Sequence, residues 1–348
     1  MTDIPSRLAL SQPDDWHVHL RDGPALASVL PDTARRFARA IVMPNLVPPV
    51  TTTVQALSYR ERILRAVPPE VVFDPLMTLY LTDATEPAEI GRARESGAVV
   101  AVKLYPAGAT THSDAGVTDL ARTYPVLEAM EQQGLPLLVH GEATEPGVDV
   151  FDREQAFIDR TLIPLVARFP GLKVVLEHVT SREGVELVRE GPATLAATIT
   201  AHHLLITRNA MFAGGIRPHH YCLPVAKREE DRLALVAAAT SGHPRFFLGT
   251  DSAPHARGRK ESGCGPAGIY TAHAALELYA EAFEAAGALD RLESFASVHG
   301  PAFYGLPRNP GVVTLVREPW TVPETLSLGG DALVPFRAGE PVAWRLVG

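Results

Sequence analysis

The segment Asp14-Asp15-Trp16-His17-Val18-His19-Leu20-Arg21-Asp22-Gly23 is the most informative stretch of this chain. In an extended strand, successive side chains point to opposite faces, so His17 and His19 would point the same way. Two imidazoles on one face of a strand can bind one metal ion. Because the pattern is short, it also fits histidines that only form structural hydrogen bonds. The rest of the sequence must decide between the two interpretations.

Length and composition bound the class of protein. The 348 residues fit one large barrel-type domain or two ordinary domains. A net charge of -8, without long basic runs, argues against nucleic-acid binding. No apolar run reaches the roughly 18 residues of a membrane helix, and Met1–Gln12 lacks the pattern of a signal peptide. Cys222 and Cys264 cannot form a disulfide framework. We therefore expect a cytoplasmic globular protein without nucleic-acid or membrane partners.

Short apolar runs, many of them β-branched, recur along the chain and end in polar residues. They are Asp15–His19, Ala40–Pro44, Val71–Leu81, Val99–Tyr105, Leu135–His140, Leu172–His178, Thr194–Thr200 and Arg245–Asp251. Helical spacing separates most of them, as in Thr53–Val67, Tyr124–Gln133 and Arg232–Thr240. This alternation predicts an α/β fold with a parallel sheet covered on both faces, and eight strands favour a TIM-like (β/α)8 barrel. A doubly wound open sheet is the alternative, weakened because no G-x-G-x-x-G follows the first strand.

The pattern changes after the eighth run. Gly268–Gly287 is rich in Ala, Glu and Leu and predicts one long helix. Beyond Gly305 the chain consists of short β-prone pieces, namely Gly311–Val316, Thr325–Leu328, Ala332–Pro335 and Val342–Leu346. No composition break marks a linker. We expect residues 1–348 to form a single barrel domain with a short C-terminal extension from about residue 305.

Residues able to bind metals or substrate lie at the ends of the predicted strands. They are His17, His19, Asn45, Lys103, His140, His178 and Asp251. Each has a structural explanation when taken alone, since Lys103 could extend to solvent and Asp251 could cap a helix. Together they should converge at the C-terminal mouth of a barrel, where such enzymes carry their chemistry. Four histidines and an aspartate suit zinc, so the sequence predicts a metal site.

Two metal ions in such a site would need a bridging group. A protonated lysine is repelled by metals, and a neutral one is a poor bridge. Lys103 carbamylated by carbon dioxide (N6-carboxylysine) would instead supply one oxygen to each ion. Burial at the end of an apolar strand favours the neutral amine that reacts with carbon dioxide. The placement of Lys103 therefore suggests this modification.

The chain resembles the amidohydrolase superfamily and, within it, the bacterial-type dihydroorotases. The resemblance spans nearly the whole chain. It rests on the segment opening at Pro13 and on the runs ARAIVMPNLVPPVTT (38–52), KLYP (103–106), LLVHGE (137–142), RPHHYCLP (217–224) and LGTDSAPHARGRKE (248–261). The run around Asp251 to His255, together with Met43-Pro44-Asn45, is its most specific part.

The resemblance implies a role for each site residue. His17, His19 and Asp251 would bind one zinc ion, His140 and His178 a second, and carbamylated Lys103 both. Arg21, Asn45 and His255 would hold the substrate carboxylate, and backbone groups of Leu223 and Ala267 the ring, beside His19 and His140. Thr110 and Thr111 would lie in a flexible loop that closes over the substrate. Gly108 stands in this loop where the family pattern has an asparagine, so we expect the stiffness of this loop to differ from that of the family.

The implied reaction is the reversible cyclisation of N-carbamoyl-L-aspartate to L-dihydroorotate and water, a step of pyrimidine biosynthesis, with Asp251 carrying the proton. The family also suggests a homodimer. Another cyclic amidohydrolase, such as a dihydropyrimidinase, hydantoinase or allantoinase, would have the same metal ligands but no need for the carboxylate-binding residues. A non-catalytic relative would have gaps in the ligand set, and the sequence has none.

Overall fold

An eight-stranded parallel barrel forms the centre of the computed structural model, which describes residues 5–347. A first strand, β1 (Arg7–Ser11), lies outside the barrel. The barrel strands are β2 (Asp14–Val18), β3 (Arg39–Val42), β4 (Asp74–Tyr80), β5 (Val99–Leu104), β6 (Leu137–Val139), β7 (Val174–Leu176), β8 (Leu195–Ile199) and β9 (Phe246–Leu248). They pair in chain order from β2 to β9. The predicted barrel is thus confirmed, and the open doubly wound sheet, whose strand order reverses at a switch point, is wrong.

The barrel closes just beyond the end of β9. The backbone N–H of Asp251 donates to the carbonyl of His17 at 2.8 Å, and that of His19 to the carbonyl of Ser252 at 3.1 Å. Val18 and Ser252 form an isolated parallel bridge. These bonds bring the two ends of the sheet together, and they place the His17–His19 segment directly beside Asp251.

Helices connect the strands. They are α1 (Pro24–Ala34), α2 (Thr53–Ala66), α3 (Pro87–Glu95), α4 (Tyr124–Gln133), α5 (Arg153–Phe157), α6 (Ile163–Arg168), α7 (Arg182–Glu190), α8 (Ala201–Leu205), α9 (Glu229–Thr240), α10 (Arg257–Lys260), α11 (Ala275–Ala285) and α12 (His299–Tyr304). Shorter 3-10 or π turns cover Leu120–Thr123, Ile158–Leu162, Arg208–Met211, Pro218–His220, Ala272–Ala274, Leu289–Arg291 and Ser294–Val298. Local sequence sets the bounds: a capping box of Thr52 and Gln55 starts α2, and Gly134, in a left-handed conformation, ends α4. Within residues 5–347, no helix combines the length and apolar character needed to cross a bilayer.

The long helix predicted for Gly268–Gly287 is wrong over its first seven residues. Gly268 has a φ of 147°, and the carbonyl of Ile269 accepts a hydrogen bond from Ala253 at 2.9 Å. The backbone is therefore extended where it passes the end of β9. A Cβ atom at Gly268 would lie 2.8 Å from the Ala253 carbonyl oxygen, so this close approach requires glycine. The α-helix itself begins only at Ala275.

The N-terminal end of the barrel is closed by α12. The ring of Tyr304 stacks on Trp16 with centroids 4.5 Å apart. A Cβ atom at Gly300 would lie only 1.9 Å from Trp16 Nε1, so only glycine permits this approach. Lys173, just before β7, donates from Nζ to the carbonyl of Phe303 at 2.5 Å. These contacts hold α12 against this end of the barrel, and the site lies at the opposite end.

The C-terminal segment packs on the barrel as short strands. They are β10 (Val312–Val316), β11 (Trp320–Thr321), β12 (Leu326–Leu328), β13 (Asp331–Leu333), β14 (Pro341–Val342) and β15 (Arg345–Val347). In one small sheet, β10 lies between β1 and β15. The segment predicted as one strand over Val342–Leu346 is split, because Trp344 turns inward, is fully buried and donates to Glu284 of α11 at 2.7 Å.

Candidate active site

A cavity of about 350 Å³ opens at the C-terminal ends of the strands. Its lining contains most of the residues that the sequence singled out. They are His17, His19, Arg21, Asn45, Tyr105, Thr110, Thr111, His140, His178, Leu223, Asp251, Ala253, Ala267 and Gly268. The position is where barrel enzymes carry their active sites.

His17, His19 and Asp251 converge on one point. Oδ1 of Asp251 lies 3.4 Å from His17 Nε2 and 3.0 Å from His19 Nε2. All three side chains are buried. Burial lowers the pKa of both imidazoles, that of His19 well below its usual value, and neutral imidazole is the form that binds metals. The fold therefore brings together the three side chains that the sequence predicted for one metal ion, and their ligand atoms lie close enough to hold one.

Hydrogen bonds fix the orientation of these two imidazoles. His17 Nδ1 donates to Glu177 Oε2 at 2.8 Å, and His19 Nδ1 to Asn45 Oδ1 at 2.9 Å. Each ring thereby presents the lone pair of Nε2 to the side where Asp251 lies. Metal-binding histidines almost always have such a partner on the second ring nitrogen.

His140 and His178 form the other half of the cluster. Their ring centroids are 4.9 Å apart, and His178 lies 5.0 Å from the ring of His17. His140 Nε2 donates to Glu142 Oε2 at 2.7 Å, which leaves its Nδ1 free to bind a ligand. Burial lowers the pKa of His178 well below its usual value. Among residues 5–347, Nδ1 of His178 has no hydrogen-bond partner.

Lys103 is the penultimate residue of β5, and its side chain is fully buried. Its Nζ has no hydrogen-bond partner in the described part of the chain, and it lies 5.2 Å from the centroid of the Tyr105 ring. Burial lowers the pKa of this amine to about 8. A buried amine without acceptors is costly as an ammonium ion, so burial raises the share of the neutral amine above that of an exposed lysine.

The donor set fits divalent metal ions. Four imidazoles, three of them with a ring nitrogen fixed by a hydrogen bond, occur here with a buried carboxylate and with a buried lysine whose Nζ has no partner among residues 5–347. Without a ligand, this arrangement leaves buried polar atoms unsatisfied. Nitrogen and oxygen donors of this kind bind zinc and related ions.

Backbone strain occurs at three of the predicted site residues. Arg21, His178 and Asp251 have φ values of 58°, 41° and 44°. Residues other than glycine rarely adopt this region, and they tend to do so at functional sites. In each case the chain turns at or just after a strand end, which aims the side chain into the cavity.

Arg21 and His255 meet at one side of the cavity. Arg21 Nη2 lies 3.0 Å from His255 Nε2, and Arg21 Nε donates to the carbonyl of Pro254 at 3.1 Å. The carbonyl of Ala267 lies 2.9 Å from the same His255 nitrogen, which either accepts from Arg21 or donates to Ala267. Burial and the nearby guanidinium lower the pKa of His255 to about 2, so its ring is neutral. The guanidinium is the cationic group at this side of the cavity lining.

The loop after β5 contacts the wall of the cavity that contains Ala267. Ala267 N–H donates to Thr111 Oγ1 at 3.1 Å, and this hydroxyl lies 3.2 Å from the Ala267 carbonyl. Asn45 Nδ2 donates to the Thr111 carbonyl at 3.2 Å. Thr110 and Thr111 both line the cavity, so the loop lies over it. Asn45 thus bonds to His19 and to this loop, and its predicted contact with a substrate carboxylate stays a prediction.

Sequence reasoning assigned no role to Glu142, Glu177 or Tyr105. Each glutamate is next to or two residues from a candidate histidine, and this proximity was an available signal. The pairing itself was not local for Glu177, because its partner, His17, lies 160 positions away in the chain. Tyr105 follows β5 directly and lines the cavity.

Comparisons with known proteins agree with this fold. The amidohydrolase family profile matches residues 15–322. The chain is 65% identical to the dihydroorotase of Nitrosomonas europaea over 348 residues, covering 99% of this chain and all of that one. The crystal structure of Campylobacter jejuni dihydroorotase is similar with a TM-score of 0.91, 36% identity and coverage of 100% and 99%. That of Saccharomyces cerevisiae dihydroorotase in complex with 5-fluoroorotic acid has a TM-score of 0.90, 34% identity and 99% coverage of both chains.

Proposed function

Because the chain belongs to the amidohydrolase family and, within it, to the dihydroorotases, we propose that it interconverts N-carbamoyl-L-aspartate and L-dihydroorotate. The reaction is a reversible cyclisation that releases water. The observation that carries the proposal is the meeting of four histidines and Asp251 with the Arg21 guanidinium in one cavity. A metal centre alone would serve many cyclic amides. The cation beside it favours a substrate with a carboxylate.

The donor set would hold two zinc ions. His17, His19 and Asp251 would hold one, His140 and His178 the other, and Lys103, after carbamylation, would contact both. The unpartnered, buried Nζ of Lys103 supports the last assignment. When bound, the metal ions lower the pKa of a water molecule and polarise the ring carbonyl. Glu142 and Glu177 keep the imidazoles oriented for this task.

Asp251 would carry the proton between the attacking water and the leaving ring nitrogen. Its Oδ1 faces His17 and His19, so Oδ2 is the atom available for this transfer. Burial raises its pKa above the usual value for an aspartate. A carboxylate whose pKa moves toward neutrality is a better general base and acid near neutral pH.

The substrate carboxylate would bind at the Arg21 side of the cavity. A guanidinium can donate two parallel hydrogen bonds to a carboxylate, and neutral His255 beside it can donate another once it turns from Ala267. Asn45 would donate from Nδ2 if the loop carbonyl of Thr111 moved away. Backbone groups of Leu223 and Ala267 would contact the ring, with His19 and His140 near the reacting carbonyl. Closure of the Thr110–Thr111 loop would exclude water.

The decisive test is an assay with two substrates on the purified protein. We expect rapid hydrolysis of dihydroorotate and little or none of dihydrouracil, which lacks the carboxylate. Chelation should abolish activity, and two equivalents of zinc per chain should restore it. A preference for dihydrouracil would support a dihydropyrimidinase instead. Activity unaffected by chelation, with no divalent metal in the protein, would contradict the metal assignment.

Three further properties complete the proposal. We infer one structural domain over the chain, because the C-terminal strands pair with β1 and anchor on α11. We also infer a homodimer in the cytoplasm, on the resemblance to dihydroorotases. Sedimentation velocity measures the oligomeric state, and a monomer at micromolar concentration would contradict the homodimer. Fractionation of the source cell tests the location, and recovery of the protein outside the cytoplasm would contradict a cytoplasmic location.

A further inference from the structure

Lys260 is a buried lysine that no step described so far uses. It ends α10 and is 3% exposed. Its Nζ donates to three backbone carbonyls, those of Tyr221 at 2.8 Å, Pro266 at 2.9 Å and Gly268 at 2.9 Å. An ammonium group has three donors, so this one is fully satisfied, and all its partners are main-chain atoms of two loop segments.

These two segments line the part of the cavity where we propose that the substrate ring binds. Tyr221 lies two residues before Leu223, and Pro266 and Gly268 flank Ala267; Leu223, Ala267 and Gly268 all line the cavity. Pro266 C=O and Ala267 N–H belong to the same peptide unit. The ammonium group bound to the Pro266 carbonyl therefore polarises the Ala267 N–H of the same peptide unit. In this structure, that N–H donates to Thr111 Oγ1.

The chain is shaped to bring these carbonyls around one ammonium group. A Cβ atom at Gly265 would lie 2.4 Å from the Lys260 carbonyl oxygen, so only glycine lets the loop fold back this closely. Gly268 has a φ of 147°, a conformation that other residues rarely adopt. Two glycines in four residues therefore let the loop wrap the end of the Lys260 side chain.

We propose that Lys260 is a positioning residue, which ties the Leu223 and Ala267 segments together so that their backbone groups fit the ring of the substrate. The proposal rests on the proposed function, since it takes dihydroorotate as the ligand of these groups. None of the three hydrogen bonds donated by Lys260 Nζ goes to a predicted metal ligand. Its effect should therefore fall on substrate binding and spare the metal centre.

The charge of Lys260 adds a second readout. Burial lowers its pKa to about 8. The titratable groups facing it are Cys222, whose pKa burial raises to about 12, His255, with a pKa of about 2, and Tyr221, with a pKa raised by burial. None of these three titrates near pH 8. Below about pH 8 the ammonium holds all three carbonyls, and above it one donor is lost, so substrate binding should weaken as the pH rises.

The test compares Lys260→Met with a matched control, Lys173→Met. Lys173 also donates to a backbone carbonyl, that of Phe303, but at the closed end of the barrel. For Lys260→Met we expect KM for dihydroorotate to rise about 10-fold or more, with kcat within about threefold and metal content unchanged. Lys173→Met should leave both constants unchanged. Lys260→Arg keeps charge and donors, so its KM should lie between wild type and Lys260→Met, and it should lose the rise in KM above about pH 8.

The outcomes separate this proposal from the function it rests on. A wild-type protein without dihydroorotase activity would contradict the function. An active wild type, with KM unchanged in Lys260→Met, would overturn the role of Lys260. A parallel loss of kcat and metal would also overturn it, since that pattern describes general damage. If Lys260→Met does not fold, the pH dependence of Lys260→Arg is the deciding measurement. If KM of Lys260→Arg rises above pH 8 as it does in the wild type, the proposal is contradicted.

Discussion

His19 Nε2 lies 3.0 Å from Oδ1 of Asp251, although 232 positions separate the two residues in the chain. The closure of the barrel causes this contact, because β2 and the end of β9 exchange backbone hydrogen bonds beside it. Two oxygens of one carboxylate can thus serve two tasks. Oδ1 would contact a metal ion, and Oδ2 would move a proton.

This division predicts the behaviour of Asp251→Asn. The amide keeps an oxygen for the metal site but cannot accept and release a proton near neutral pH. We expect kcat to fall by about 10²- to 10⁴-fold, with at least one metal ion retained by elemental analysis. The matched control is Asp14→Asn at the closed end of β2, where Asp14 pairs with Arg39 at 2.7 Å. This control should lower the melting temperature and leave kcat unchanged. Near-normal turnover in Asp251→Asn would exclude the proton transfer.

Lys103→Ala tests the bridging group. Removing Nζ leaves no atom that can become a carboxylate between the two halves of the site. We expect loss of most bound metal and nearly all activity, measured by elemental analysis and by assay. Lys227→Ala is the matched control, because Lys227 is also buried but donates to Val225 O and Thr180 Oγ1 outside the cavity lining. It should retain its metal. Normal zinc content and rate in Lys103→Ala would rule out a bridging role.

Glu177→Gln tests the hydrogen bond that orients His17. The glutamine is nearly isosteric, yet it lacks the negative charge that makes the imidazole a stronger ligand. We expect metal affinity to fall about 10- to 100-fold, measured by competition with a chelator. Glu154→Gln serves for comparison, since Glu154 is equally buried but bonds to Thr180 and Ser181. If both variants lose metal affinity equally, the effect is general destabilisation, and Glu177 does not act by orienting His17.

The sequence predicted what local patterns encode, and missed what depends on contacts distant in the chain. Strand ends follow from apolar runs, so His140 and Lys103 could be placed at the mouth of the barrel from sequence alone. The bond between Glu177 and His17 joins β2 to the end of β7, and no local pattern specifies it. The start of the predicted Gly268–Gly287 helix is wrong for the same reason. Its residues favour a helix, but the backbone contact of Ile269 with Ala253 keeps the chain extended there.

Arg21→Met separates recognition of a carboxylate from the general chemistry of the metal centre. Methionine keeps much of the side-chain volume and removes the guanidinium. A hydrogen bond to a charged group contributes about 1.5–3 kcal/mol, so KM for dihydroorotate should rise roughly 10- to 100-fold, with metal content unchanged.

Two controls make the result specific to the carboxylate. Slow turnover of dihydrouracil, where measurable, should not change in Arg21→Met, because this substrate has no carboxylate to lose. Arg62→Met removes a half-exposed arginine that pairs with Asp22 at 2.8 Å outside the active-site cavity, and it should leave KM unchanged. If Arg21→Met weakens both substrates equally, Arg21 shapes the pocket without reading the carboxylate. The preference for dihydroorotate would then have to come from Asn45 and His255.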